Sequence, residues 1–310
     1  MTALFEGTGT ALATPFKANG TIDYAAFERL VDYQINGGVE ALVVCGSTGE
    51  SATMTYDEKC ELIRRTVAQA GAGRPQVIAG TGSNVTDETI RLTIEASQMG
   101  VDGVLLVSPY YNKPSQRGLL AHFGAIAAAV PETPLILYNV PARTGSNIAP
   151  ETVLRLANEH SNIAAIKEAS ADIDQCCEII NHAPDGFRLY SGEDSVTLPL
   201  LAVGARGVIA VVSNQVPTEF GEMVRSALSG DYATARRLHL RLHRLMRLNF
   251  IESNPVPVKA ALAMMGIFSS AVYRLPLVPL AAEHAETMRA ELHELGLLQE
   301  IETPMENDER

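Results

Sequence analysis

The sequence predicts an α/β protein folded as a (β/α)8 TIM barrel with a C-terminal helical extension, and three observations support this prediction. The chain has 310 residues, and an α/β barrel typically needs about 250. Hydrophobic residues make up 46% of the chain, which is enough for a large core. Short apolar runs alternate with polar loops and amphipathic helical segments, as in a parallel sheet with helical crossovers.

Eight apolar runs are predicted strands, and most of them lie about 30 residues apart, as βαβ units require. Eight such units favour a closed barrel. An open doubly wound sheet is the alternative, but no Gly-x-Gly-x-x-Gly motif follows the first strand. The predicted strands are Thr8–Ala13, Ala41–Cys45, Gln76–Ala79, Gly103–Val107, Leu135–Tyr138, Ile163–Lys167, Arg188–Ser191 and Gly207–Val212.

Capping signals mark the first three helices between these strands. Asp23 can cap the first helix. Thr55-x-x-Glu58 is a capping box for the second, and Asp87 with Glu88 places negative charge in the first turn of the third. The apolar residues of the third helix are Ile90, Leu92, Ile94, Ala96 and Met99.

The chain is predicted to divide into a barrel at residues 1–228, a helical extension packed on it at residues 229–298, and a tail at residues 299–310. The tail is polar and acidic and is expected to be disordered. No linker separates a second domain. Val216–Leu228 is predicted to be the last barrel helix, and the extension helices are Tyr232–Asn249, Val256–Met265 and Leu280–Leu297.

Composition excludes several classes of protein. The net charge of −12 argues against a nucleic-acid-binding surface and against docking on a membrane of anionic lipid, because both need a positive field. No signal peptide or membrane span is recognisable in the sequence, so a cytoplasmic location is expected. The four cysteines match no metal-site spacing and are expected to be reduced thiols; they are Cys45, Cys60, Cys176 and Cys177.

Lys167 is the most informative candidate, because it ends the sixth predicted strand and the active sites of barrels lie at that end of the strands. Strand alternation predicts that Ile163, Ala165 and Lys167 share one face. Burial among apolar residues favours an uncharged amine, which can attack a ketone and form a Schiff base. The alternative is a lysine that reaches from the strand end into solvent.

Three neighbouring motifs can supply the rest of such a site. Tyr138 can act as a general acid and base, or it is a core tyrosine. The guanidinium of Arg143 fits a substrate carboxylate, or it forms a surface ion pair. In Gly46-Ser47-Thr48-Gly49-Glu50, Ser47 and Thr48 offer hydroxyl and N–H groups to a small carboxylate, or the segment is an ordinary loop. This segment lacks the Gly-Lys-Ser/Thr ending of a nucleotide-binding loop.

Taken together, the motifs resemble the dihydrodipicolinate synthase / N-acetylneuraminate lyase family, in order from about Gly7 to Leu297. Any one of them is ambiguous, but five in register are highly specific. They are Gly46-Ser47-Thr48-Gly49-Glu50-Ser51, Ser108-Pro109-Tyr110-Tyr111-Asn112-Lys113-Pro114, Tyr138-Asn139-Val140-Pro141-Ala142-Arg143-Thr144-Gly145, Ile166-Lys167-Glu168-Ala169 and Asn254-Pro255-Val256-Pro257-Val258-Lys259.

The resemblance implies a reaction in which Lys167 forms an imine with pyruvate. Thr48 and the backbone of Ser47 would hold the pyruvate carboxylate, with the main-chain carbonyl of Ile209 nearby. Arg143 would bind the carboxylate of the second substrate, L-aspartate 4-semialdehyde. The product would be 4-hydroxy-tetrahydrodipicolinate, on the route to diaminopimelate and lysine. No metal or organic cofactor is implied.

The resemblance also implies a proton relay of Tyr138, the Ser47 hydroxyl and Tyr111. In this family the tyrosine that matches Tyr111 is lent by the adjacent subunit, so a tight homodimer is implied, commonly paired into a homotetramer. The synthase branch usually has Thr-Thr where this chain has Ser47-Thr48, as in the lyase branch. Arg143 and the Tyr110-Tyr111 pair favour the synthase branch.

Two rival functions remain. One is an aldolase of the same family that acts on N-acetylneuraminate or a 2-keto-3-deoxy sugar acid. The other is a barrel that binds a ligand without catalysis, although such a protein needs no imine-forming amine.

The resemblance also implies a regulatory pocket at the dimer interface. Lys59 replaces a histidine that is found in the lysine-sensitive enzymes, and a fixed cation repels the ammonium groups of a bound lysine. We therefore predict weak or absent feedback by lysine. The positions that match the lining of this pocket are Ser51, Ala52, Tyr56, Lys59, Asn84, Glu88 and Tyr110.

Overall fold

The computed structural model describes residues 3–71 and 75–298. Within them, eight parallel strands pair in chain order and close into a barrel, with the last strand beside the first. The predicted barrel is therefore confirmed, including its seventh strand. The strands are β1 (Gly7–Ala11), β2 (Ala41–Val44), β3 (Gln76–Gly80), β4 (Gly103–Val107), β5 (Leu135–Asn139), β6 (Ile163–Glu168), β7 (Arg188–Ser191) and β8 (Gly207–Ala210).

The helices begin where the capping residues predict. The Asp23 side chain accepts a hydrogen bond from the Ala26 N–H, and both hydrogen bonds of the Thr55/Glu58 capping box are present. The helices are α1 (Tyr24–Asn36), α2 (Tyr56–Ala70), α3 (Thr86–Gln98), α4 (Gln116–Ala129), α5 (Pro141–Thr144), α6 (Pro150–Glu159), α7 (Ile173–His182), α8 (Thr197–Ala202), α9 (Pro217–Leu228), α10 (Tyr232–Leu248), α11 (Val256–Met264) and α12 (Ala282–Glu294). Short 3-10 turns form at Ser51–Thr53, Asp194–Val196 and Val212–Asn214.

The last strand ends two residues before the predicted Val212. The backbone N–H groups of Val211 and Val212 donate to the buried carboxylate of Asp194 instead of to a neighbouring strand. The chain then enters the Val212–Asn214 turn. The Asp194 carboxylate therefore ends β8. The apolar run in the sequence does not reveal this contact.

A bulge in β6 corrects the predicted face of that strand. Leu135 pairs with Ile163, but the next residue of β5 pairs with Ala165, so Ala164 is the extra residue. Ile163 consequently packs with the core between the barrel and its helices, whereas Ala164 and Ala165 pack inside the barrel. The prediction that Ile163 shares a face with Lys167 is therefore wrong. The prediction that Ala165 and Lys167 share a face is correct.

The apolar residues of α3 divide between two faces. Leu92 and Ala96 are buried, and Thr89 and Thr93 are buried beside them. Ile94 lies on the other side and is exposed. The helix is thus held to the barrel by a narrower stripe than its apolar content suggests.

The extension packs on the barrel through the helices that precede it. α10 lies against α8 and α9, while α11 contacts α12 and the Val212–Asn214 turn. Between α10 and α11 the chain passes over the end of the barrel, where Asn249 donates to the side chain of Gln215 at 2.7 Å. The predicted disordered tail, residues 299–310, lies outside the described residues. No helix in the described ranges is both long and apolar enough to cross a lipid bilayer.

Candidate active site

A cavity of about 490 Å³ opens at the ends of the barrel strands. We call it the mouth cavity. Its lining includes Ser47, Thr48, Tyr138, Arg143, Lys167 and Glu193. The Arg143 guanidinium and the Glu193 carboxylate carry opposite charges, so the cavity can receive a ligand that carries charges of both signs.

Lys167 lies in the wall of the mouth cavity beside Tyr138. The two residues are register partners on β6 and β5, and the Lys167 Nζ atom lies 4.4 Å from the centre of the Tyr138 ring. Lys167 is 5% exposed and Tyr138 is 6% exposed. Within residues 3–71 and 75–298, no carboxylate lies within ion-pairing distance of this amine. The amine is therefore buried at the cavity wall without an ionic partner among the described residues, where a ligand can reach it.

Tyr138 differs from the core tyrosine two strands away. The Tyr190 hydroxyl donates to the Phe5 carbonyl at 2.6 Å, its ring stacks on Phe5, and burial raises its pKa. The Tyr138 hydroxyl has no hydrogen-bond partner in the described part of the chain. It can therefore exchange a proton with a ligand in the cavity, which a hydroxyl fixed in the core cannot do.

The loop at residues 46–50, which follows β2, is tightly constrained. A Cβ atom on Gly49 would lie 3.2 Å from the Leu12 carbonyl oxygen, so a larger residue would push the loop away from β1. Glu50 adopts the left-handed conformation at φ 56°. Thr48 is buried, and its Oγ1 atom accepts a hydrogen bond from the Asn254 side-chain amide at 3.0 Å. Ser47 lies at the boundary of two cavities.

Arg143 lies in α5 and also borders both cavities. Its guanidinium donates to the backbone carbonyl of Asn254 at 3.3 Å. It forms no ion pair with any described residue, so the surface ion pair considered from the sequence is not formed. Its remaining N–H donors are available to a carboxylate.

Two residues implied by the family resemblance are not brought into the mouth cavity. Tyr111 is 88% exposed and has a left-handed backbone at φ 70°. The Ile209 side chain packs inside the barrel with Ala165 and Tyr138 and is not part of the cavity lining. A single copy of the chain therefore assembles the lysine, Tyr138, the hydroxyl loop and Arg143, but not Tyr111.

A second cavity, of about 680 Å³, lies beside the first. We call it the side cavity. Asn84, one of the seven positions of the predicted regulatory pocket, does not line this cavity. Its side-chain amide donates to the Tyr110 carbonyl at 3.2 Å. Ser47, Arg143 and Asn254 border both cavities. The other six predicted pocket positions all line the side cavity and are Ser51, Ala52, Tyr56, Lys59, Glu88 and Tyr110.

Three polar residues at the site were given no role from the sequence. Glu193 lines the mouth cavity. Asp194 is fully buried behind it, and burial raises the pKa of its carboxyl to about 7, against the opposing effect of its hydrogen bond from Val212. Asn254 contacts both Thr48 and Arg143. The acidic pair directly after β7 was a usable signal, because it stands at the catalytic end of a barrel strand.

The described residues contain no group of three or more His, Cys, Asp or Glu side chains that could hold a metal ion.

Comparisons with known proteins identify the family of this chain. The family model of the dihydrodipicolinate synthetase family matches residues 4–295. The 4-hydroxy-tetrahydrodipicolinate synthase of Chlorobium limicola is 46% identical over 96% of this chain and 99% of its own length. The dihydrodipicolinate synthase of Aquifex aeolicus has a TM-score of 0.92 at 44% identity, covering 96% of this chain and 100% of that one. The DHDPS of Cyanidioschyzon merolae, solved with lysine bound, has a TM-score of 0.92 at 42% identity, with the same coverage of 96% and 100%. The chain therefore belongs to the dihydrodipicolinate synthetase family.

Proposed function

We propose that this chain is a lyase that condenses pyruvate with L-aspartate 4-semialdehyde to give 4-hydroxy-tetrahydrodipicolinate. The observation that carries the proposal is the buried Lys167 amine, which lies on the Tyr138 ring at the wall of the mouth cavity. The names of the full-length relatives support the same reaction. As an enzyme of lysine and diaminopimelate biosynthesis, it would act in the cytoplasm.

The reaction begins when the Lys167 amine attacks the keto carbon of pyruvate. The resulting carbinolamine loses water and becomes an imine, with Tyr138 delivering a proton to the departing hydroxyl. Loss of a proton from the methyl group gives an enamine, whose carbon attacks the aldehyde and forms the new carbon–carbon bond. The amino group of the second substrate then attacks the imine carbon, closes the ring and releases Lys167. One water is formed overall, and no metal or organic cofactor takes part.

The remaining residues bind the two substrates. Thr48 and the backbone of Ser47 hold the pyruvate carboxylate, near the Ile209 carbonyl, and Arg143 holds the carboxylate of the semialdehyde. Arg143 and Thr48 suit these roles because both border the mouth cavity and their hydrogen-bonding groups are not fully used within the protein.

The proton relay of the proposal runs through Tyr138, the Ser47 hydroxyl and Tyr111. Tyr111 would come from a second copy of the chain, in a homodimer that pairs into a tetramer. Its 88% exposure in the single copy supports this part of the proposal, because an aromatic side chain left so open is typical of a protein–protein contact.

One observation favours a second candidate, an aldolase of N-acetylneuraminate or a 2-keto-3-deoxy sugar acid. Ser47 stands where the synthase branch usually has threonine. Serine keeps the hydroxyl but loses the methyl group that restricts its rotamer. This rival enzyme would use the same lysine and tyrosine with a different aldehyde.

Two measurements on one preparation test the proposal. Borohydride reduction in the presence of pyruvate, followed by mass spectrometry, should give a covalent adduct on Lys167. Product formation should then be followed with pyruvate and L-aspartate 4-semialdehyde, and separately with the sugar acids. An adduct with turnover of sugar acids alone would favour the rival enzyme, and no adduct would favour a non-catalytic binding protein.

A further inference from the structure

Asn254 joins the helical extension to two groups of the proposed site. It lies between α10 and α11, is 6% exposed and borders both the mouth cavity and the side cavity. Its side-chain amide donates to Thr48 Oγ1 at 3.0 Å. Its backbone carbonyl accepts from the Arg143 guanidinium at 3.3 Å. One residue outside the barrel thus contacts both side chains that are proposed to bind carboxylates.

The direction of the bond to Thr48 has a chemical consequence. A threonine hydroxyl has one O–H donor and two acceptor lone pairs. Because the Asn254 amide nitrogen can only donate, Thr48 Oγ1 must accept, and its own O–H remains free. Thr48 forms no other side-chain hydrogen bond among the residues that the structure describes, and it lines the mouth cavity. Asn254 therefore leaves Thr48 as a donor that can meet an anion there.

The Asn254 side chain makes one hydrogen bond at a cost. Its Oδ1 atom is buried and has no hydrogen-bond partner in the described ranges, and a buried acceptor without a partner is costly. The bond that its amide nitrogen donates to Thr48 is the one side-chain contact in the described part of the chain that favours an amide at this position.

The extension also holds the far end of the same loop. Lys259 of α11 is fully buried and forms an ion pair with Glu50, two residues after Thr48. The loop at residues 46–50 is therefore attached to the extension at both Thr48 and Glu50. These attachments fix the loop relative to Arg143, which Asn254 also contacts.

We propose that Asn254 is a positioning residue that orients the Thr48 hydroxyl toward the carboxylate of the bound keto acid. The proposal rests on the proposed function, because it assumes that pyruvate binds in the mouth cavity. Asn254 acts through Thr48 and does not itself react.

A double-mutant cycle tests this role. The pyruvate KM and kcat are measured for the parent, Asn254→Ala, Thr48→Val and the double variant. We expect Asn254→Ala to raise the pyruvate KM about tenfold, the effect of one hydrogen bond to a charged group, with a much smaller change in kcat. In the Thr48→Val background the same substitution should change the KM less than about twofold, because the hydroxyl is already absent.

Asn254→Asp tests the direction of the hydrogen bond, and it remains informative if the alanine variant does not fold. Aspartate keeps an acceptor but loses the amide donor and adds a negative charge, so pyruvate should bind at least as weakly as in Asn254→Ala. Pyruvate binding as tight as in the parent would mean that Thr48 donates to residue 254, which would overturn the proposal. Independent, multiplicative effects in the double-mutant cycle would overturn it as well.

Asn249 provides a matched control in the same connecting segment. It is fully buried, donates a single side-chain hydrogen bond and also has an unpartnered Oδ1 atom, but it borders neither cavity. Asn249→Ala should lower the melting temperature and leave the pyruvate KM unchanged; an equal rise in KM in this variant would reduce Asn254 to a structural role. If the parent itself forms no borohydride-trapped adduct with pyruvate, the proposed function fails before any variant is compared.

Discussion

The chain buries two lysines in very different surroundings. Lys259 in the extension is completely buried, forms an ion pair with Glu50 and donates to the Val272 carbonyl at 2.6 Å. It also lies 4.3 Å from the centre of the Phe16 ring. Lys167 in the barrel is nearly as buried, but it forms no hydrogen bond or ion pair with a described residue, and its amine lies over the Tyr138 ring. The two amines differ in partners far more than in burial.

The partners of a buried amine, and not its burial, therefore indicate what it does. A lysine that is ion-paired and hydrogen-bonded within the protein belongs to the fold, because its charge is compensated and its position is fixed. A lysine at a cavity wall without an ionic partner is available to a ligand. Burial lowers the pKa of Lys259 to about 8, while its Glu50 partner opposes this change.

Lys167→Met should cost the most activity, because it removes the amine and keeps most of the volume of the side chain. We expect no borohydride-trapped adduct and at least a thousandfold loss of kcat, about 4 kcal/mol in activation free energy. The free energy of unfolding should change little or rise, because a buried polar group without a partner is lost. Mass spectrometry, steady-state kinetics and urea denaturation check these outcomes. A trapped adduct that persists in this variant would contradict the assignment of Lys167.

Lys259→Met should have the opposite outcome. It leaves Glu50 buried without a counter-ion, which costs about 3–5 kcal/mol in the free energy of unfolding, measured by urea denaturation. The pyruvate adduct on Lys167 should still form at temperatures where the variant is folded. The double variant Lys259→Met/Glu50→Gln should recover part of the stability, because glutamine is uncharged and can still accept from the Arg274 N–H. Loss of the adduct at unchanged stability would show that the comparison of the two lysines is wrong.

The sequence predicted the elements that depend on local patterns. All eight predicted strands form the barrel. They could be predicted because each is a run of apolar residues between turn signals. The Thr55/Glu58 capping box also forms as its spacing predicts. The bulge at Ala164 was missed, since no residue type marks it, and so was the early end of β8, which depends on Asp194 from another loop.

The place of several candidate site residues could also be predicted from the sequence. Lys167, Tyr138 and Arg143 were found because each follows or ends a barrel strand. Asn254 was not assigned a role, because it reaches the site through a contact between residues about 200 positions apart in the chain. Such contacts depend on how the extension packs on the barrel. The helical pattern in the sequence does not reveal which residues of the extension meet the barrel.

His122 is a third buried base, and we expect it to affect the stability of the fold but not the reaction. It is 6% exposed, borders neither described cavity, and burial lowers its pKa to about 4. Because the unfolded chain takes up this proton near pH 6.5 and the folded protein only near pH 4, stability is present above pH 6.5 and is lost as the pH falls through this window. The full loss is about 3 kcal/mol.

His122→Gln removes the titrating group and should remove this part of the pH dependence. The difference in unfolding free energy between parent and variant should shrink steadily from pH 7 to pH 4, measured by urea denaturation at each pH. Pyruvate trapping on Lys167 should be unaffected at pH 7. A pH-independent difference would mean that His122 has the same pKa in the folded protein as in the unfolded chain, which would contradict the prediction.

Lys59 is a partly buried lysine that lines the side cavity. If the side cavity binds L-lysine, as the family resemblance implies, the fixed charge of Lys59 repels the ammonium groups of that ligand, and one such contact near a protein surface costs on the order of 1–4 kcal/mol. Micromolar L-lysine should therefore leave the parent rate unchanged.

Lys59→His should lower the half-inhibitory lysine concentration at least several-fold at pH 8, where the imidazole is mostly neutral. Lys17→His, on an exposed loop, is the matched control and should leave the inhibition curve unchanged. Inhibition of the parent at micromolar lysine would show that the charge of Lys59 does not act on the ligand.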